Sequence, residues 1–260
     1  MKLLLLAVLL LLPTCLYSQD LPAIERELVR EARRISYWAE YDDSTGTAHV
    51  EDSLARANSR FMRRLLHYTA TEPASLTYAF AALRREHITI TTSADGRFRI
   101  YSWDSQEGGT MRFFNNVFQF RAGAKVAARS LTGTRPDNDA GKLYFDIFQV
   151  QKGSQTYYLA YGQGIYSSHD SYQHVKAFAV EGGQLNPEAK LIQTGSGLRN
   201  TLGFAFDFFS VVDRPERPVR LITYDPKAQV LAIPVVWADG KVTDKRIRYG
   251  FNGAVFAKVK

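Results

Sequence analysis

The chain has 260 residues, 45% of them hydrophobic and 23% charged, a globular composition that is long enough for one large or two small domains and excludes wholesale disorder. Its formal charge of +7 is unevenly placed: residues 20–88 carry 10 basic and 11 acidic side chains, residues 89–260 carry 22 and 15. Such an excess can attract an anionic partner. No run of five or more Lys or Arg and no aromatic–basic RNA motif accompanies it, so it reads as solubility, and no nucleic-acid partner is expected.

Met1 and Lys2 form a positive start, Leu3 to Leu12 an apolar run, and Pro13 to Gln19 a break into polar sequence. This is the pattern of a secretory signal peptide over residues 1–18, cleaved after Ser18. The run is about half of the roughly 20 residues that span a bilayer, so no transmembrane segment is expected once the leader is removed. The only cysteine, Cys15, lies within it. Leu12-Pro13-Thr14-Cys15 resembles the lipobox of bacterial lipoproteins but departs from it at Thr14 and Pro13, which makes a lipid anchor at Cys15 the weaker alternative. The mature chain then has no cysteine, and thiolate catalysis and cysteine–zinc sites are excluded. The expected location is outside the cytoplasm of a bacterium: periplasmic, cell-surface or extracellular.

Residues 19–87 read as a helical unit. Ile24, Leu28, Ile35 and Trp38 recur at helical spacing over 22–41 behind Pro22, which suits a first turn. A loop through Gly46 follows, then a second helix over 52–69 with Leu54, Phe61, Leu65 and Tyr68 on one side, capped by Asp52 or Ser53. A third begins at Pro73 and carries Leu76, Phe80 and Leu83 on its inner face. The arginines of these helices read as a solvated face.

From residue 88 to 260 the apolar period changes to 2, and the sequence predicts an antiparallel β-rich domain that folds largely on its own. Three sets of strands separated by tight turns appear. The first runs from Ile88 to Leu131 with a turn at Ala94-Asp95-Gly96, the second from Leu143 to Ile192, and the third from Val219 to Val259. The second set is expected to be half wet and half buried. Another strand, carrying Phe204, Phe206 and Phe208 on one face, lies between the second and third sets. Pro234 predicts an edge or a bulge. The expected fold is α+β: about three helices, then β-meanders arranged as a sandwich or a partial propeller-like array.

No catalytic signature occurs. His169-Asp170-Ser171-Tyr172-Gln173-His174 is the densest hexapeptide, but two histidines five apart on a strand point to opposite faces, so no metal site is expected. No nucleophile elbow, phosphate-cradling loop, dinucleotide fingerprint or EF-hand loop is present, and no cofactor is expected. Asp146, an acid within an apolar strand, reads as a solvent-facing or backbone-bonded residue. The tyrosines cluster in 157–172, and Tyr presents an apolar face with a polar edge, which suits a sugar ring or a partner protein. The candidate ligand-binding residues are therefore Tyr161, Tyr166, His169, Tyr172 and His174. The expected function is that of a non-enzymatic binding or structural protein of the bacterial envelope, contacting a glycan or an envelope protein through an aromatic face. The alternative is a secreted hydrolase with a site near His169 and His174.

Overall fold

A computed structural model describes residues 20–41, 49–131 and 139–259. The leader, its cleavage point and Cys15 lie outside the described residues. Three α-helices open the described chain: α1 (Leu21–Glu40), α2 (Val50–Thr71) and α3 (Ala81–Arg85). Among the described residues no helix is long and apolar enough to cross a membrane.

The helix starts differ from expectation. α2 begins at Val50 with Glu51 and Asp52 inside its first turn, where acidic side chains favour the helix dipole without acting as the cap. The third helix is broken into a 3-10 turn at Pro73–Leu76 and the short α3, because Phe80 adopts a left-handed conformation with φ 46°. Two tertiary contacts hold that unfavourable backbone. The Phe80 ring is fully buried edge-on to Tyr101, and Glu25 of α1 accepts the Ala82 and Leu83 N–H groups at 2.6 and 3.1 Å, capping α3 from a distance. Much of the arginine face is ion-paired, as Arg60 and Arg34 with Glu31 and Arg64 with Glu27 show.

The strands are β1 (Thr89–Thr92), β2 (Phe98–Asp104), β3 (Phe114–Ala122), β4 (Lys125–Arg129), β5 (Leu143–Lys152), β6 (Gln155–Ile165), β7 (Asp170–Glu181), β8 (Gln184–Asn186), β9 (Ile192–Thr194), β10 (Gly197–Arg199), β11 (Thr201–Asp207), β12 (Thr223–Asp225), β13 (Val230–Val236), β14 (Val242–Phe251) and β15 (Phe256–Val259). The first sheet is the meander β1-β2-β3-β4. A central sheet has the order β11-β7-β6-β5 with β8 beside β7, and a third the order β10-β9-β15-β14-β13-β12. All pairings are antiparallel except β15 with β9. The α+β fold with antiparallel meanders is thus as expected.

The layers stack as helices, first sheet, central sheet and third sheet. Period-2 alternation makes this possible, since each inner strand buries both of its faces. In β2, Tyr101 and Trp103 meet Leu28, Phe61 and Leu65 of the helices, while Phe98 and Ile100 meet Tyr158 and Phe178 of the central sheet. The helical unit and the β part therefore share a core across residues 87 and 88. Arg99, 3% exposed, crosses to the helix side and donates to the Ser75 and Tyr78 carbonyls at 2.8 and 2.7 Å. On the far side, Leu159, Tyr161 and Val175 pack against Ile222, Leu231 and Phe256 of the third sheet. The central sheet is consequently covered on both faces rather than half wet.

Two further details follow from proline. The strand expected over 184–192 is divided at Pro187, so that β8 stays with the central sheet and β9 joins the third. Pro234 lies in the inner strand β13, and the register shifts between Pro234 and Val236 there, a bulge that spares the ladder a donor it cannot have.

Candidate binding site at the end of the central sheet

β6 ends at Ile165, residues 166–169 turn, and β7 returns from Asp170. Alternation along these two strands divides the five candidate residues. Tyr166, Tyr172 and His174 gather around Lys142 on the side facing the first sheet. Tyr161 lies on the opposite face, and His169 sits in the turn.

The first group is centred on His174, which is 4% exposed. Its ring stacks on Tyr144 at 5.6 Å and meets Tyr172 edge-on at 5.7 Å. Neighbouring strands make room for it with glycine: a Cβ on Gly162 would stand 2.7 Å from His174 Nε2. Among the described residues that Nε2 has no hydrogen-bond partner. Burial, helped by the positive charges of Lys142 and Lys176 and opposed by Asp139, pushes the imidazole down to about 3. His174 is therefore neutral near pH 7 and lacks an orienting acceptor, which does not suit a general base. Lys142 Nζ lies over the Tyr166 and Tyr172 rings at 5.4 and 5.9 Å and pairs with Asp139 at 2.9 Å. Burial raises the Tyr172 hydroxyl, which stays protonated.

Tyr161 is a clamp. Its hydroxyl accepts the Leu221 and Ile222 N–H groups at 2.8 and 2.9 Å and donates to Gln173 Oε1. Gln173 Nε2 in turn donates to the Val219 carbonyl at 2.6 Å and to Gln163 Oε1 at 3.2 Å. Burial pushes the phenol up to about 12. These bonds fix the extended segment 219–222 that leads into the third sheet. Beside it Asp146 sits at a bulge of β5, accepting its neighbour's N–H at Ile147 and pairing with Arg220 at 2.6 Å.

On the Tyr161 face, towards the turn, a cleft of about 320 Å³ opens. Gln163, Ile165 and Ser171 of β6 and β7 line it together with Ser167, Ser168, Thr110, Arg112 and Phe208. The loop before β3 is tied to β6 by the Arg112 N–H donating to the Ile165 carbonyl at 3.0 Å, and Phe208 is tied to the turn by its N–H donating to the His169 carbonyl at 2.7 Å. Arg217 lies over one side of the Phe208 ring at 5.4 Å. Gln163 spends its oxygen on Gln173, so its amide N–H groups serve the cleft.

Just outside, His169 packs on Phe209 at 4.4 Å and its Nδ1 lies 3.5 Å from Asp207 Oδ1. Phe209 is 51% exposed and Trp237 58%. The turn that carries Trp237 is joined to the same end of β11, where the Asp207 N–H donates to the Gly240 carbonyl at 2.9 Å. The sequence pointed to the β6–β7 turn but missed Thr110, Arg112, Asp207 and Phe208. The apolar face ending in Phe208 was its one usable signal; the loop at 110–112 reaches the cleft only through tertiary packing.

Among the described residues no group of three or more His, Cys, Asp or Glu could hold a metal ion. In comparison with known proteins, no family model matches the chain, and neither a curated protein nor a solved structure is significantly similar to it.

Proposed function

We propose that this chain is an exported, non-enzymatic binding protein of the bacterial envelope, and that the cleft at Phe208 takes a glycan. The observation that carries this is the cleft's make-up: an apolar floor of Ile165 and Phe208 beside the hydroxyls of Thr110, Ser168 and Ser171 and the free amide of Gln163. A sugar ring offers C–H faces and hydroxyl edges, and this lining answers both. The exposed Phe209 and Trp237 extend the apolar surface beyond the mouth. Export rests on the leader, and mass spectrometry of the secreted chain should find Gln19 at or next to its N-terminus; a retained leader would defeat it.

A second reading is favoured by one contact, the His169–Asp207 pair, which has the base-and-orienter arrangement of a hydrolase. Calorimetric titration with soluble neutral oligosaccharides, alongside an assay for newly released reducing ends, separates the two. For a binder, Phe208→Ala weakens binding about 5- to 30-fold, the scale of about 1–2 kcal/mol for a lost aromatic anchor, and His169→Ala changes little. Cleavage that disappears by 100-fold or more in His169→Ala would select the hydrolase instead.

A further inference from the structure

A second cleft lies at the other end of the central sheet, roughly 30 Å away along β6 at ~3.4 Å per residue. Its volume is about 420 Å³, and it is formed where four hairpin turns converge: β1–β2, β3–β4, β5–β6 and β7–β8. Arg97 and Arg121 line it, together with Gln151, Ser154, Gln155 and Thr156, and among the described residues no acidic side chain does.

The two arginines are cross-strand neighbours. The register of β2 and β3 pairs Phe98 with Phe120, and the next step outward brings Arg121 N–H to the Arg97 carbonyl at 2.9 Å. Like charges placed directly opposite each other on paired strands destabilise a sheet. Such a pair is ordinarily relieved by a carboxylate, yet among the described residues neither guanidinium has one within ion-pair distance. The acid closest in sequence, Asp95, is occupied elsewhere: its oxygens accept from Ser93 Oγ at 2.6 Å, from the Arg97 N–H at 3.0 Å and from the Tyr158 hydroxyl at 3.0 Å. Arg97 and Tyr158 both line the cleft wall, the Tyr158 hydroxyl being committed to Asp95. Gln155 commits its amide nitrogen to the Thr156 and Val180 carbonyls, which leaves its own oxygen to accept a hydroxyl.

We propose that this cleft is an oxyanion site, in which Arg97 and Arg121 hold the carboxylate or phosphate of a hydroxylated ligand such as a sugar acid or sugar phosphate. Guanidinium forks match the paired oxygens of both groups. The ligand neutralises the arginine pair, and the neutral hydroxyl and amide side chains around it meet the remaining hydroxyls. This site is independent of the cleft at Phe208.

Titration of the full mature chain at low ionic strength with glucuronate, glucose 6-phosphate, inorganic phosphate and glucose tests it. The anions are expected to bind and glucose is not. Arg97→Gln and Arg121→Gln should each raise the dissociation constant of the anions at least tenfold. Arg121→Lys, which keeps the charge and loses the fork, should lie between. Without ligand, Arg121→Gln should melt at or above the wild-type temperature because the repulsion is gone, which separates lost binding from lost folding. Phosphate binding as tightly as the sugar anions supports the site and identifies a simple oxyanion as its ligand; tighter binding of one sugar anion identifies that class. The proposal is overturned if the anions bind no better than glucose, or if a folded Gln variant binds them like wild type. A Phe208→Ala variant should bind the anions unchanged, so failure here and failure of the glycan cleft are told apart.

Discussion

Tyr161 and His174 are buried on opposite faces of the central sheet, and the two faces treat these rings in opposite ways. On the face towards the third sheet, every bonding position of the Tyr161 hydroxyl is used, and the bonds reach across to backbone that no strand ladder could satisfy. On the face towards the first sheet, His174 is held by ring stacking and by the absence of a side chain at Gly162, and its Nε2 is left without a partner among the described residues. An unpaired buried polar atom costs free energy, so it persists only where packing outweighs it. The difference teaches that one ring is a structural clamp and the other a tolerated, uncharged filler. Proximity of polar residues in sequence therefore says little about shared chemistry when a two-sided sheet stands between them.

The largest test of the contrast is acidification. The unfolded chain protonates His174 near the usual 6.5, the folded protein only near 3, so the unfolded state binds the extra proton throughout that window. Stability from this residue is accordingly full above about pH 6.5 and falls as the pH drops towards 3, by ~1.4 kcal/mol per pH unit and about 5 kcal/mol in total. Urea titrations at a series of pH values should show the steep acid limb in the wild type and a shallower one in His174→Phe. An identical limb in both would mean that His174 already carries its proton in the fold, and the contrast would collapse.

A smaller effect is expected from Tyr161→Phe, which keeps the ring and removes the hydroxyl. Leu221 N–H retains Gln173 Oε1 at 3.2 Å, whereas Ile222 N–H is left alone. One orphaned buried donor corresponds to about 1–3 kcal/mol at neutral pH, read from the urea midpoint at constant m. The loss should not depend on pH between 3 and 7, since the phenol does not ionise there. A variant as stable as the wild type would show that the segment 219–222 is held by its apolar contacts instead.

Much of the architecture was legible because local periods carry it. The 3.6-residue spacing of Leu28 and Ile35 marked α1, the alternation around Ala94-Asp95-Gly96 marked the first hairpin, and each of the three strand sets supplies most of one sheet, with β9 and β10 joining the third sheet and β11 the central one from outside those sets. The failures have one cause, which is that a residue's exposure depends on what packs over it. Alternation in β7 reads the same whether one face or both are covered, so the second set was expected to be half wet. The broken third helix was hidden for a similar reason, since Glu25, distant in sequence, supplies the cap at Ala82 and Leu83.

For the candidate sites the division is sharper. The sequence by itself determined which residues have the chemistry to bind: the aromatic and serine-rich turn between β6 and β7, and a basic excess confined to the β part. Only the tertiary structure decided which of them act together. It put Tyr166, Tyr172 and His174 on one face of a sheet and Gln163, Ile165 and Ser171 on the other, then brought Arg112 and Phe208 from distant loops to the second group. It also set Arg97 opposite Arg121 in a cleft that, among the described residues, no acid lines. The physical reason is that strand pairing and layer stacking join residues tens of positions apart, and their register depends on the whole assembled core rather than on any local run of side chains.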